Sequence, residues 1–155
     1  MGLDMYLYRR EYLSNYSWIN DEKEKAAFEI ISNAIGIEAC KDSPHINLEV
    51  CVAYWRKANA IHKWFCDLDG GKDECQNIYV TRKNLVELRD LCASVISQPA
   101  MAMDVLPPQE GFFFGPSDVD EWYFEDMKDT INQIEKILES VPEDSWIDFI
   151  YRASW

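Results

Sequence analysis

The sequence lacks any uninterrupted apolar run of about 18 residues, the length that a membrane-spanning helix needs. Its first residues, from Met1 to Tyr6, also lack the basic start and the apolar core of a secretory signal peptide. These absences argue against a membrane anchor and a cleaved leader. We therefore expect the chain to act in the cytoplasm, without a membrane partner.

Closely spaced cysteine pairs are lacking as well. No two of the five cysteines lie closer than nine residues, and there are two histidines. Zinc sites usually combine ligand pairs about two to four residues apart, because a tight turn brings both to one ion. The pattern favours buried free thiols in a reducing compartment over a metal site or a disulfide, and predicts no metal and no other cofactor. These residues are Cys40, Cys51, Cys66, Cys75, Cys92, His45 and His62.

Positive charge is scarce: 15 basic residues stand against 28 acidic ones, a formal net charge of −13. Binders of long nucleic acids or anionic membranes need a basic face, so neither is an expected partner. A small anionic ligand stays compatible, because a local cluster can oppose the global charge. The hydrophobic content of 48% excludes intrinsic disorder, and the 155 residues fit a single domain over residues 1–155.

Alternating apolar and polar residues indicate half-buried strands. The alternation predicts strands over Leu3–Arg10, over residues 46–52 and over Trp146–Arg152, although the last segment also fits a short helix. Ile78–Val80 is a candidate short strand. Gly111–Gly115, with three aromatic residues between two glycines, predicts a short strand or a loop that lines a site.

Helix signals occur in four segments. The predicted helices run from the capping residue Asn20 to Gly36, from Tyr54 to before Asp69, from the capping residue Thr81 to Pro99, and from Ser117 or Asp118 to Pro142, with residues 101–116 irregular. The helix from Tyr54 rests on an apolar stripe at i, i+4, i+7 and i+11. Strands mixed with four helices, without a regular β-α-β alternation, predict an α+β fold with a mainly antiparallel sheet and helices on one face.

One basic segment stands out in this acidic chain. Residues 51–66 hold three bases and no acid, whereas residues 100–155 hold 13 acids and 3 bases, a net charge of −10. On the predicted helix, Arg56, Asn59 and Lys63 share one face, with Trp55 and His62 beside them. Aromatic faces stack on bases while cations neutralise phosphates, so the segment predicts a nucleotide site. The alternative is a helix whose apolar residues are core and whose bases pair with the abundant acids.

Other segments carry weaker signals. Gly111–Gly115 lacks the spacing of a dinucleotide or phosphate loop, and it is either an aromatic wall opposite the basic helix or a core strand. The acids between Asp118 and Asp129 are either paired carboxylates for acid–base or magnesium chemistry, or a solvated helix start. Asp4 is an exposed edge residue or a buried acceptor for Arg56 or a ligand hydroxyl. No catalytic residue is predicted.

Several segments together resemble a family of small proteins found in phage and prophage genomes. The resemblance lies in Met1–Leu7, Tyr54–Phe65, Gly111–Gly115, Asp120–Asp126 and the closing Ser154–Trp155. It implies a role in host takeover or counter-defence. Within that group, the chain is similar to phage sponges that bind and sequester cyclic oligonucleotide signals of bacterial immune systems such as CBASS. This similarity implies a small anionic ligand, a cyclic oligonucleotide, held without turnover in the cytoplasm of the infected host.

Under this hypothesis the basic side chains contact phosphates, Asn59 or His62 reads a base edge, and aromatic side chains stack on the bases. The predicted ligand-binding residues are Asp4, Tyr6, Trp55, Arg56, Lys57, Asn59, His62, Lys63, Trp64, Phe113, Tyr123 and Trp155. The oligomeric state stays open, and a homo-oligomer fits the hypothesis.

Two other functions fit the same sequence. The acidic last third could mimic nucleic acid and occupy a basic groove of a host protein, with Glu121, Glu125 and Asp126 in contact. Alternatively, the chain could be a nucleotide-processing enzyme in which Asp4, His62 and the acids of residues 118–129 supply acid–base groups or metal ligands.

Overall fold

The computed structural model describes residues 2–18, 20–36, 43–143 and 147–155. The chain forms two compact units, one made of Met1–Arg9 with Cys51–Trp155 and the other of Arg10–Val50. The single domain expected over residues 1–155 stays a prediction.

Within the described residues, four strands form one sheet. They are β1 (Asp4–Ser14), β2 (His45–Arg56), β3 (Ile78–Val80) and β4 (Asp148–Ser154), in the order β2-β1-β4-β3. β3 and β4 are antiparallel, with Tyr79 opposite Ile150. The α+β fold with a mainly antiparallel sheet confirms the prediction.

Five α-helices lie in the described residues. They are α1 (Glu22–Ile35), α2 (Asn59–Leu68), α3 (Arg82–Ser97), α4 (Ala102–Val105) and α5 (Glu121–Ser140). Gly36 ends α1 at a φ of 64°, and Thr81 begins α3 through a reciprocal capping box with Asn84, both as expected. Two helix starts differ from prediction, because the capping side chains are Asp21 for α1 and Asp120 for α5.

The helix expected from Tyr54 is wrong over its first turn. β2 continues through Arg56, and α2 begins at Asn59. Over the end of β2 the side chains alternate, with Ala53 and Trp55 buried and Tyr54 exposed, which is the period of a strand. Arg56 therefore lies on a strand and shares no helix face with Asn59, so the predicted basic helix face is also wrong.

The remaining segments are partly as expected. Residues 101–116, expected to be irregular, contain α4, which follows a 3-10 turn over Pro99–Met101. Residues 112–114 form a turn and not a strand, closed by the Phe114 N–H that donates to the Gly111 carbonyl at 3.1 Å. β4 is a strand and not a short helix, and Trp146 lies outside the described residues.

The core of the larger unit joins β1, β4 and α2. Leu3, Met5 and Leu7 are fully buried on alternate positions, as the sequence pattern predicts. The rings of Phe65 on α2 and Tyr151 on β4 stack at a centroid distance of 4.0 Å. This contact fixes α2 against the sheet. Helix α2 carries Asn59, which lines a cavity, and His62 and Cys66, which belong to a buried polar cluster.

Candidate functional site

The larger unit contains a charged cavity of about 360 Å³. It lies where β2 ends, where α2 begins and along the first turns of α5. Two basic and three acidic side chains line it together with aromatic and amide groups. The lining residues are Arg56, Lys57, Asn59, Ala60, Pro116, Asp118, Asp120, Trp122, Tyr123 and Asp126.

Lys57 occupies a strained position between β2 and α2. Its φ is 61°, in the left-handed region that an L side chain adopts at a cost of roughly 1–2 kcal/mol. Its N–H donates to the Leu3 carbonyl at 2.9 Å, which fixes the turn. A Cβ on Gly2 would lie 3.2 Å from Lys57 Cε, and one on Gly115 would lie 3.6 Å from Lys57 Cβ. The two glycines therefore leave the space that the lysine stem occupies.

Neither cation of the cavity is held by a strong ion pair among the described residues. Arg56 Nε lies 3.8 Å from Asp4 Oδ1, and the arginine side chain is 61% exposed, so solvent screens this pair. Asp4 Oδ1 also accepts the Tyr54 hydroxyl at 2.5 Å. Lys57 forms no ion pair in the part of the chain that the structure describes. Both cations are therefore available to an anionic ligand.

The acidic side of the cavity comes from the start of α5. Asp120 caps this helix by accepting the Tyr123 N–H at 3.0 Å. Burial, followed by the negative charges of Asp129 and Asp120, raises the pKa of Asp126 to about 6. Asp126 therefore changes charge near pH 6.

Aromatic and amide groups complete the lining. The Trp122 side chain is 76% exposed and offers a flat face, whereas Tyr123 is buried and its hydroxyl donates to the Leu106 carbonyl at 2.8 Å. Asn59 uses its amide nitrogen to hold the Phe114 and Pro116 carbonyls at 3.3 Å and 2.8 Å. No described residue bonds the Asn59 side-chain oxygen, which can accept a hydrogen bond from a ligand.

A second polar cluster lies around His62, which is buried on α2. His62 Nδ1 lies 2.7 Å from the Tyr151 hydroxyl, and His62 Nε2 lies 3.0 Å from Asp73 Oδ1. Burial lowers the pKa of His62, although Asp73 opposes this shift. Cys66 Sγ lies 3.6 Å from His62 Nε2, and burial raises the pKa of its thiol to about 12. Without a further positive charge, Cys66 is therefore a poor nucleophile.

Trp155 and two aromatic residues of the turn at residues 112–114 belong to the surroundings of this His62 cluster and do not line the cavity. Trp155 Nε1 donates to Asp73 Oδ1 at 3.1 Å, and the Phe113 ring stacks on Trp155 at a centroid distance of 6.3 Å. The edge of Phe114 meets His62 at 5.2 Å. Phe113 and Trp155, predicted to stack on one ligand with the basic residues, thus lie in a separate group.

The other predicted residues are also dispersed. Trp55 is core, and its Nε1 donates to Thr130 Oγ1 at 3.0 Å. Lys63 pairs with Asp67 at 2.5 Å, as the alternative interpretation of the basic segment expects. Trp64 packs edge-on against Phe65. Lys63 and Trp64 line a crevice of about 20 Å³, which is too small for a nucleotide.

Asp4 and Tyr6 belong to a polar aromatic patch of β1 and β2. The centroids of the Tyr6 and Tyr54 rings lie 5.3 Å apart, and the Tyr54 hydroxyl donates a hydrogen bond to Asp4.

Four of the predicted residues line the cavity: Arg56, Lys57, Asn59 and Tyr123. Sequence reasoning missed Trp122 as a lining residue, although it lies in the resembling segment Asp120–Asp126.

Of the cysteines, Cys66 and Cys92 are buried and free, as predicted. Cys51 and Cys75 are free but exposed, so their predicted burial is wrong: Cys51 lies on an exposed position of β2, and Cys75 lies in the loop before β3. Cys40 lies outside the described residues.

A second cavity, of about 430 Å³, lies in the smaller unit beside α1. Its lining includes one basic and one acidic residue, Lys25 and Glu29, and the buried Phe28. No residue predicted to bind a ligand lines this cavity.

The chain matches no family model, no curated protein and no solved structure. The resemblance to phage proteins therefore stays a prediction. Among the described residues, no helix has both the length and the apolar character to cross a membrane.

Proposed function

We propose that this chain is a phage counter-defence protein that binds one nucleotide unit of a cyclic oligonucleotide in the charged cavity and sequesters it without turnover. The observation that carries the proposal is that Lys57, which has no ion pair among the described residues, lines the cavity beside Arg56 and the exposed ring of Trp122.

The phosphate contacts Arg56 and Lys57. A guanidinium group can make two parallel hydrogen bonds to phosphate, while an ammonium group acts as a point charge. The loose pair between Arg56 and Asp4, at 3.8 Å, can open or share the guanidinium with the ligand at little cost. Lys57 need not break any ion pair of the described residues to bind.

The base stacks on Trp122 and is read by the carboxylates. Stacking of a base on an aromatic side chain contributes about 1–3 kcal/mol. Carboxylate oxygens accept hydrogen bonds from amino groups of bases, so Asp120 and Asp126 are compatible with a nucleotide even though they repel its phosphate. Recognition of base amino groups by these carboxylates predicts a preference for guanine, adenine or cytosine over uracil, which has no amino group.

The size of the cavity limits what it encloses. Ligand cavities usually measure about 300–1,000 Å³. At about 360 Å³, this one holds a single nucleotide unit, and the rest of a cyclic oligonucleotide stays outside. The lining includes no histidine and no thiol that would act as a nucleophile, which favours binding over turnover.

The test is calorimetric titration of the full chain with cyclic dinucleotides, cyclic trinucleotides, mononucleotides and inorganic phosphate. Lys57→Ala and Arg56→Ala should each weaken binding about tenfold or more, as expected for loss of a charge-assisted hydrogen bond. Lys63→Ala is the matched control, because Lys63 pairs with Asp67 outside the cavity.

Tryptophan variants test the stacking step. Trp122→Ala should weaken binding of nucleotides but not of phosphate, while Trp18→Ala, which removes an equally exposed ring from the smaller unit, should change neither. Absence of binding across the panel at micromolar protein would refute the proposal. Equal losses in the Lys57 and Lys63 variants would refute the assigned site.

A further inference from the structure

The His62 cluster contains three groups of the kinds that bind transition metals, and the proposed function uses none of them. His62 and Cys66 lie one turn apart on α2, so both project from the same helix face. Asp73 lies in the loop after the helix. One ligand atom from each of these three residues lies within 4.8 Å of the others.

The separations match those of a tetrahedral zinc site. Zinc bonds of about 2.0 Å to nitrogen or oxygen and about 2.3 Å to sulfur place the nitrogen about 3.5 Å from the sulfur and about 3.3 Å from the oxygen. In the structure, His62 Nε2 lies 3.6 Å from Cys66 Sγ and 3.0 Å from Asp73 Oδ1. These two separations differ from the ideal values by a few tenths of an ångström, and the third, between the Cys66 sulfur and an Asp73 oxygen, is within 4.8 Å.

The surroundings orient these groups as the outer shell of a metal site does. The Tyr151 hydroxyl bonds His62 Nδ1 at 2.7 Å, which leaves Nε2 to bind the ion. Trp155 Nε1 and Gln109 Nε2 donate to the two oxygens of Asp73 at 3.1 Å each. Asp73 is thus held at the side of the cluster by two donors that need not move when an ion binds.

A buried acceptor without a partner also points to a missing group. Gln109 Oε1 is buried and has no hydrogen-bond partner in the described parts of the structure, an arrangement that is costly in a folded protein. The amide that carries it is anchored to Asp73. A water on the fourth position of a metal ion is one donor that could satisfy this oxygen.

We propose that His62 Nε2, Cys66 Sγ and Asp73 Oδ1 bind one Zn²⁺, with water in the fourth position. On binding, the Cys66 thiol gives its proton to solvent and bonds the ion as a thiolate. His62 gives up the Nε2 proton that it donates to Asp73, and its ring carries a proton on Nδ1 instead, which it donates to the Tyr151 hydroxyl. Asp73, whose side chain is 18% exposed, lies on the path from solvent, whereas His62 is 1% exposed. The sequence signal is weak because the close pair joins one histidine to one cysteine, four residues apart, and the third ligand is a carboxylate seven residues further along the chain.

The experiment titrates metal-free full-length protein with Zn²⁺ in competition with a chromophoric chelator, and then with Co²⁺ as a spectroscopic probe. We expect one ion per chain, a thiolate-to-cobalt charge-transfer band and tetrahedral d–d bands. Cys66→Ser should abolish the charge-transfer band and weaken zinc binding by more than the ~10–100-fold that loss of an outer-shell partner costs. Cys92→Ser, which alters another buried thiol, should change neither result.

Asp73→Asn keeps the shape of a partly exposed ligand. It provides a second test of the site if the Cys66 variant fails to fold. It should weaken zinc binding while circular dichroism stays that of the parent. Binding of much less than one ion, or equal cobalt spectra for the Cys66 and Cys92 variants, would overturn the site and leave His62–Asp73 a structural hydrogen bond. Nucleotide binding by Lys57 is a separate measurement, so the two proposals can fail independently.

Discussion

The strained backbone of Lys57 allows stability and binding to be separated at one residue. Lys57→Ala and Lys57→Gly both remove the ammonium group that we assign to phosphate binding. They differ in the backbone, because alanine keeps the steric cost of a φ of 61° and glycine does not. We therefore expect both variants to lose binding equally while their stabilities differ.

The size of the difference follows from two opposing effects. Relief of the left-handed conformation stabilises the glycine variant by roughly 1–2 kcal/mol. Glycine loses more chain entropy on folding, which costs about 0.5–1 kcal/mol. Lys57→Gly should thus be more stable than Lys57→Ala by about 0.5–1 kcal/mol, or about 1–4 °C in Tm for a chain of this size.

Urea unfolding followed by tryptophan fluorescence measures this difference, and calorimetry measures binding. Gly115→Ala provides the opposite control, since Gly115 has a φ of 89° and only ordinary van der Waals neighbours, so alanine there should destabilise the protein. A Lys57→Gly variant that is less stable than Lys57→Ala by about 0.5–1 kcal/mol, the entropy cost of glycine alone, would show that the turn is unstrained. Binding that survives in the glycine variant alone would show that the turn geometry, and not the cation, recognises the ligand.

Three further predictions concern stability and partners. Because the pKa of Asp126 is raised to about 6, the native state holds this proton more tightly than the unfolded chain. Asp126→Asn should therefore be more stable than the parent at pH 7.5, and urea unfolding should show this advantage fade as the pH falls from about 6 towards the ordinary carboxyl pKa of 3.8. A pH-independent difference would contradict the assignment. Thr81→Ala breaks the capping box with Asn84 and should lower the free energy of unfolding by about 1 kcal/mol in urea melts, unless the cap is dispensable. If the chain instead mimics nucleic acid, neutralising Glu121 and Glu125 should reduce capture of a host protein at low salt; our proposal expects capture to be unaffected.

Local features of the sequence predicted most of the elements correctly. Strand alternation identified β1 through Leu3, Met5 and Leu7, and capping chemistry identified α3 through Thr81. These signals work because a strand face and a helix cap depend on residues at most a few positions apart. The end of α1 at Gly36 is also a local signal, because it depends on the ability of glycine to adopt a φ of 64°.

The failure at Tyr54 shows where local information ends. The residues from Tyr54 to Ala58 fit a helical stripe and a strand alternation alike, because apolar side chains occupy positions of both periods. The choice is made by a distant segment: Leu3 accepts the Lys57 N–H, and this bond holds the chain extended up to the turn before α2. Residues 54–58 alone do not reveal that the Lys57 N–H bonds to Leu3.

The sequence by itself determined the α+β class, most element positions and the presence of three bases and no acid among residues 51–66, because composition and short-range periodicity carry that information. Only the tertiary structure decided which side chains meet. It brought Trp122 and Asp126 of α5 to Lys57, and it brought Asp73 to His62 and Cys66. Such groupings depend on how the chain closes loops between distant segments, and a linear pattern of residue types does not encode those distances.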